Sequence, residues 1–172
     1  MMAEEDLPEE GEGPTIRASR FALLTGSYAC YKCGRQTRVS AIGVSDYEEL
    51  GEEGFTVVDD STLFTQLGEL NPEAEAVVAK HAPWLRFDYS NTAQISYLAN
   101  HCEHCDALIG AWFVSEPGEA FFPQSEDEVK RLAVEWIEQP FCVVDLGGMQ
   151  SSWIDSLLVP DRPTKKTLRR GL

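Results

Sequence analysis

The sequence predicts an α+β fold, a small antiparallel sheet carrying about three to four helices. Three observations point there. The chain has 172 residues, 43% of them apolar and 10% aromatic, which suits one globular domain with a real core. Its extended runs are short and bounded by turn residues. Extended and helical segments alternate, but without the regular period of a doubly wound parallel sheet.

The first clear element is YACYKCGRQTRVSAIGV, Tyr28 to Val44, two extended runs either side of Cys33–Gly34 in the shape of a hairpin. The acidic SDYEELGEEG that follows reads as a loop, and FTVVD as a short strand. Asp60 or Ser61 is placed to cap a short helix through TLFTQLGEL. Asn71 and Pro72 make a stronger helix start, a cap residue and then proline at the first helical position. The helix runs through PEAEAVVAKH until Pro83 stops it.

QISYLA (94–99) and ALIGAWFV (107–114) read as strands. Ser125 and Glu128 form a capping box for a helix from Glu126 to Glu138. Val129, Leu132, Ala133, Trp136 and Ile137 share one face of it, and Pro140 ends it. FCVVDL reads as a buried strand, Gly147–Gly148 as a turn, and SSWIDSLL as a short helix capped by Ser151 or Ser152.

Residues 1–14 have the composition of a disordered acidic tail and 161–172 that of a mobile basic tail, leaving 15–160 as a single domain. The net charge is −15. The acidic tail carries −6 and the basic tail +4, so the body keeps −13. Such a body repels a phosphate backbone and disfavours general nucleic-acid binding. Against that, Arg17, Arg20, Lys32, Arg35 and Arg38 fall close together in the sequence. No apolar run has the roughly 18–20 residues a membrane helix needs, and the N-terminus lacks the apolar core of a secretory signal. A cytoplasmic protein with reduced thiols and no membrane partner is expected.

Four of the five cysteines come as Cys30-Tyr-Lys-Cys33 and Cys102-Glu-His-Cys105. Two thiolates three positions apart on a tight turn can both reach one metal, and the turn's amides face the sulfurs. Two such turns complete the tetrahedron that structural Zn2+ prefers. Gly34 follows Cys33 where the turn asks for positive φ, and Asp106 holds the matching place in the second turn. Iron fits the same ligand set, a redox dithiol in one pair is a separate possibility, and so are cysteines that merely pack. His101 and His104 are expected around the site rather than on the metal, and His81 at the carbonyls ending its helix. Cys142 is expected in the core.

CYKCG and CEHCD, each within a hairpin pattern, resemble the paired knuckles of zinc-ribbon proteins. The string YLANHCEHCDALIGAWFVSEPGEAFFP is also similar to small uncharacterised bacterial zinc-binding proteins, which carry a comparable run before an aromatic strand. The resemblance covers residues 27–45 and 91–123, and implies a metal and two knuckle hairpins but no activity. The usual spacer between pairs is about 15–20 residues. Here 68 residues separate Cys33 from Cys102, with a long insert at 45–92. A metal closing that loop would contribute roughly 4 kcal/mol, by analogy with a disulfide.

Four thiolates leave no coordination position for a catalytic water. The sequence has no G-x-S-x-G elbow, phosphate loop or H-E-x-x-H motif. The expectation is a protein-interaction or accessory module whose partner is another protein. The alternatives are a nucleic-acid-associated zinc ribbon using the five basic residues and the basic tail, and an enzyme with a site away from the sulfurs. Two aromatic groups, Phe121-Phe122-Pro123 and Pro83, Trp84, Phe87 and Tyr89, are expected in the core rather than at an interface.

Overall fold

A long hairpin, Gln36–Gly51 (β3) and Gly54–Leu70 (β4), is the frame on which the remaining elements are hung. The computed structural model describes residues 13–161. The rest of both predicted tails lies outside the described residues. Ile16–Ala18 (β1) and Phe21–Ala29 (β2) precede the hairpin. After it come helix Pro72–His81 (α1), then Leu85–Ser90 (β5), Ile95–His101 (β6) and Leu108–Ile109 (β7). Short helices Ala111–Val114 (α2) and Glu126–Lys130 (α3) follow. Ala133–Ile137 (β8), Phe141–Met149 (β9) and helix Ser152–Leu158 (α4) complete the order.

The first sheet runs β1-β9-β4-β3-β2-β8 and the second β5-β6-β7, with every ladder antiparallel. The α+β class holds, with four helices among the described residues. Strand β1 pairs with both β9 and the far end of β3, so β3, β4, β9 and β1 pair in a closed circuit.

Side-chain alternation explains how the large sheet buries both faces. Phe21 and Leu23 enter one core cluster with Ile42, Val44, Phe64, Phe141 and the inner face of α1. Ala22 and Leu24 point the other way, joining Val39, Ala41, Ile109, Phe121, Ile154 and Leu158. Cys30 and Cys102 belong to this second cluster.

The second sheet is docked by a side chain that imitates a strand. Asn100 on β6 accepts the Ser40 N–H at 2.8 Å through Oδ1 and donates to the Ser40 carbonyl at 3.0 Å through Nδ2. The Ser40 hydroxyl meets Thr25 at 2.9 Å and accepts the Trp84 indole N–H at 3.0 Å. Buried backbone groups need such partners. Asn100 thereby fixes the strand that leads into Cys102 against the strand that leaves Cys33.

Several elements depart from the sequence expectation for identifiable reasons. TLFTQLGEL is strand, not helix. Its buried Leu63, Phe64, Leu67 and Leu70 mimic helical spacing because the β4–β9 ladder shifts register between Phe64 and Leu70. Much of SDYEELGEEG is strand as well, the chain turning only between Gly51 and Gly54. Ser125 does cap a helix, its hydroxyl accepting the Glu128 N–H at 3.2 Å. The Glu128 carboxylate takes the Gln124 N–H at 2.6 Å, so the reciprocal bond of a capping box is not made to Ser125. That helix ends at Lys130, however, and Ala133–Ile137 becomes β8 on the open edge of β2. Backbone pairing with β2 prevails there over local helix pattern.

ALIGAWFV is strand only at Leu108–Ile109, after which Gly110 opens α2 and the Tyr97 hydroxyl accepts the Ala111 N–H at 3.1 Å. Gly147–Gly148 is no turn but part of β9. A Cβ on Gly148 would stand 3.0 Å from Thr62 Cγ2 and 3.4 Å from the Leu63 carbonyl, so glycine lets β4 approach. Asn71 does precede α1, but its side chain makes no cap bond. It accepts the Cys142 N–H at 2.8 Å and donates to the Pro140 carbonyl at 3.0 Å, pinning the start of β9.

Replacing Asn100 by leucine, close in size but unable to hydrogen-bond, leaves the Ser40 N–H and carbonyl buried without partners. A destabilisation on the order of 3 kcal/mol is expected, read as a lower urea midpoint at unchanged m-value.

Candidate metal centre

Two turns of nearly identical construction face one another at the edge of the second core cluster. In the first, Gly34 N–H donates to the Cys30 carbonyl at 2.9 Å and Cys30 N–H to the Arg35 carbonyl at 2.9 Å. In the second, Asp106 N–H donates to the Cys102 carbonyl and Cys102 N–H to the Ala107 carbonyl, both at 2.9 Å. Lys32 N–H donates to Cys30 Sγ and His104 N–H to Cys102 Sγ, each at 3.4 Å. Gly34 (φ 74°) and Asp106 (φ 63°) occupy the left-handed region, as the turn pattern predicts. The repeat is in the backbone, and it sets the sulfurs face to face.

The Sγ atoms of Cys30, Cys33, Cys102 and Cys105 all lie within 4.8 Å of one another. Across the two turns Cys30 meets Cys105 at 3.6 Å and Cys33 meets Cys102 at 3.7 Å. A tetrahedron with metal–sulfur bonds of about 2.3 Å has sulfur–sulfur edges of about 3.8 Å. The four thiols therefore suit a tetrahedral ion that accepts soft ligands. Cys30 and Cys102 are buried, Cys105 is half-buried and Cys33 is exposed, so the site opens to solvent on the Cys33 side.

The proton affinities of the sulfurs reflect crowding. Burial pushes the Cys102 thiol up, but the N–H groups of Cys105 and His104, with the Cys33 and Cys30 thiols, outweigh it and bring it to about 6. Cys30 is lowered in the same way, burial being outweighed by the N–H groups of Cys33 and Lys32 and by the Cys105 thiol. For Cys105 the Ala107 N–H favours the thiolate, but burial and the three neighbouring sulfurs prevail, pushing it up to about 11. Without a cation the cluster shares its negative charge unevenly.

The side chains between the cysteines clasp the two turns together. Glu103 takes Arg38 Nη2 at 2.6 Å, Arg38 Nε at 3.0 Å and the Arg38 backbone N–H at 2.9 Å. Its own N–H donates to Thr37 Oγ1 at 3.0 Å. His104 Nε2 donates to the Gln36 carbonyl at 3.0 Å. From the opposite turn, the Tyr31 hydroxyl donates to the Leu108 carbonyl at 3.3 Å. Sequence reasoning missed Asn100, Glu103, Thr37 and Tyr31 as builders of the site. Position within the two motifs was the available signal for Glu103 and Tyr31; none existed for Thr37.

Neither His101 nor His104 joins the sulfur cluster. His101 is buried, with Nδ1 3.0 Å from the Ala99 carbonyl and Nε2 2.9 Å from Asp88 Oδ2. The His101 ring, with the Tyr89 N–H, holds the Asp88 carboxyl below its ordinary range. His81 reaches Glu135 Oε1 at 2.8 Å rather than its helix carbonyls. Cys142 is half-buried on β9, away from the tetrad.

The five basic residues do not form one patch of bare charge. Arg17 pairs with Glu48 at 2.5 Å, Arg20 with Glu138 at 3.2 Å and Arg38 with Glu103 at 2.6 Å. Their guanidinium groups also lie over Phe55, Trp136 and Trp84. Lys32 and Arg35 are exposed on the first turn. Of the aromatic groups expected in the core, Phe121 and Trp84 are buried, whereas Phe122, Phe87 and Tyr89 are exposed. No helix among the described residues is long and apolar enough to cross a membrane.

Comparison with protein-family models, curated proteins and solved structures finds no match. The geometry of the site stands by itself.

Gly34→Ala adds a Cβ that meets no atom within 4 Å, so its cost is that of the left-handed backbone alone. A loss of about 1–2 kcal/mol is expected in chemical denaturation.

Proposed function

We propose that the protein is a cytoplasmic protein-interaction or accessory module whose fold is stapled by one structural Zn2+ on Cys30, Cys33, Cys102 and Cys105. The observation that carries this reading is the approach of four sulfurs from two like turns, 69 positions apart, to within 4.8 Å. Zinc is the natural occupant of a closed four-thiolate tetrahedron in a reducing compartment. The metal's chemistry is cohesion: four protein ligands leave no place for an activated water. A binding role is further supported by the large aromatic side chains left at the surface, Tyr31, Trp112 and Phe113 among them.

Nucleic-acid association draws less support, because three of the five clustered bases already have carboxylate partners. Lys32 and Arg35 are then the ones left to meet phosphate.

Elemental analysis of the purified protein is expected to give one zinc per chain. Serine at any of the four paired cysteines should lower that content and the thermal midpoint together, whereas Cys142→Ser leaves both unchanged. Zinc loading should release protons, because Cys105 in particular holds its proton up to about 11 without metal. Affinity should therefore fall as the pH is lowered. A metal-free protein with full stability, or equal loss of metal in Cys142→Ser, would remove the proposal.

A further inference from the structure

Four thiols in mutual reach can hold a metal, and they can also give up electrons to one another's bonds. The sulfurs touch across the two turns: Cys33 Sγ meets Cys102 Sγ at 3.7 Å and Cys30 Sγ meets Cys105 Sγ at 3.6 Å. Each pair needs to close by about 1.6 Å to reach bonding distance. Access to the sulfurs is unequal. Cys33 is exposed and Cys102, in contact with it, is buried, so a dissolved oxidant meets Cys33 first and Cys102 is already in place to follow. Cys142, the fifth cysteine, is half-buried on β9 and stands outside the tetrad.

The turns are docked by groups that involve no sulfur. Glu103 holds the guanidinium and the backbone N–H of Arg38, and Asn100 holds both backbone groups of Ser40. His104 meets the Gln36 carbonyl, and the Tyr31 hydroxyl meets the Leu108 carbonyl. These bonds keep the sulfurs of one turn facing those of the other, whatever the sulfurs themselves carry. Pairing inside each turn is the alternative for a C-x2-C motif. It would have to draw Cys33 away from Cys102 and Cys105 away from Cys30.

We propose that the tetrad is also a peroxide-sensitive switch, in which Cys33–Cys102 and then Cys30–Cys105 become disulfides that free the metal and keep the turns joined. The Cys33 sulfur attacks hydrogen peroxide and breaks its O–O bond. One oxygen stays on sulfur as a sulfenic acid, and the other leaves as water after taking a proton. The Cys102 sulfur then attacks that of Cys33; the S–S bond forms, the S–O bond breaks, and a second water departs with a proton from the thiol or from solvent. Two electrons leave the sulfur pair and one peroxide accepts them. A second peroxide does the same for Cys30 and Cys105. A disulfide offers no thiolate, so the first step removes two of four ligands and the remaining pair cannot close a tetrahedron. Cys33 and Cys102 lie 69 positions apart, so their bond constrains the unfolded chain in the way a shared metal does. Metal release rests on the proposed zinc staple; the sulfur pairing rests on the contacts alone.

The test treats the zinc-loaded full chain stepwise with hydrogen peroxide, alkylates the thiols that remain and maps the cysteines without reduction. Cleavage after Lys32 parts Cys30 from Cys33, and cleavage after Glu103 parts Cys102 from Cys105, so mass spectrometry reads every pairing. Cys33–Cys102 is expected as the first linked pair and Cys30–Cys105 as the second, with a chromogenic chelator recording loss of bound zinc in step with the first. Dithiothreitol and fresh zinc should restore the starting state. The oxidised chain should show a higher urea midpoint than the reduced chain stripped of metal, and Cys142→Ser should give the same pairs. Disulfides inside the turns, oxidation of Cys142 ahead of the tetrad, or sulfinic acid on Cys33 in place of a disulfide overturns the proposal. So do four thiols unchanged by excess peroxide. Zinc is measured before the peroxide is added: a chain that holds zinc but pairs otherwise sinks only the switch, and a chain without zinc that forms the cross-turn pairs sinks only the staple.

Discussion

Four sulfur atoms crowded within 4.8 Å are the constraint around which this molecule is organised. Four thiolates at this spacing would repel one another, and without a cation the cluster keeps the proton on Cys105, pushed up to about 11. The fold has to supply forces that bring them together without relying on the sulfurs themselves. Asn100 against Ser40, Glu103 against Arg38 and Thr37, and His104 against Gln36 all join the second turn to the start of β3. These are backbone-directed or charge-assisted bonds, specific in direction and length. They position the four sulfurs, and a cation bound there would offset their negative charge.

The parts legible from sequence are those whose physics is local. A C-x2-C turn needs its two cysteines, a residue tolerant of positive φ and a hairpin around it, all within a few positions. Gly34 and Asp106 adopt that conformation in the structure. Likewise Asn71-Pro72 begins α1, and Ser125 caps a helical turn. What was not legible depends on partners distant in the chain. Strand β8 exists because β2 has an open edge; nothing between Ser125 and Pro140 records that edge. Irregular register against β9 gives β4 the apolar spacing of a helix, and only the ladder reveals the slip. Asn100 belonged to a recognisable run beside Cys102, yet its task is set by Ser40, 60 positions earlier.

Charge is redistributed by the same long-range pairing. In the sequence, Arg17, Arg20 and Arg38 are neighbours in a basic stretch. In the fold each is matched to a carboxylate from another element and laid along an aromatic ring. Exposed ion pairs of this kind add little stability. Their consequence is mainly for recognition, since a paired arginine presents a weaker field to phosphate than a free one. Arg38 is the exception in its structural role: its partner Glu103 belongs to a cysteine turn, so this pair also positions that turn.

Large rings at a surface normally lose order to solvent, and ordering them on binding costs free energy. Here Tyr31 is spared that loss. Its turn is closed by the Gly34 N–H on the Cys30 carbonyl and its hydroxyl is held by Leu108, so the exposed ring is already placed. Trp112 follows a two-residue strand and Gly110, on a helical turn whose first N–H is held by Tyr97. A cation held by all four sulfurs would make this small turn stiffer still. Stiffness at an aromatic surface is itself a functional property, because a rigid anchor turns more of its contact energy into affinity. Sulfur cluster and exposed ring are then two consequences of one arrangement: the turn that aims Cys30 and Cys33 at the second pair also presents Tyr31.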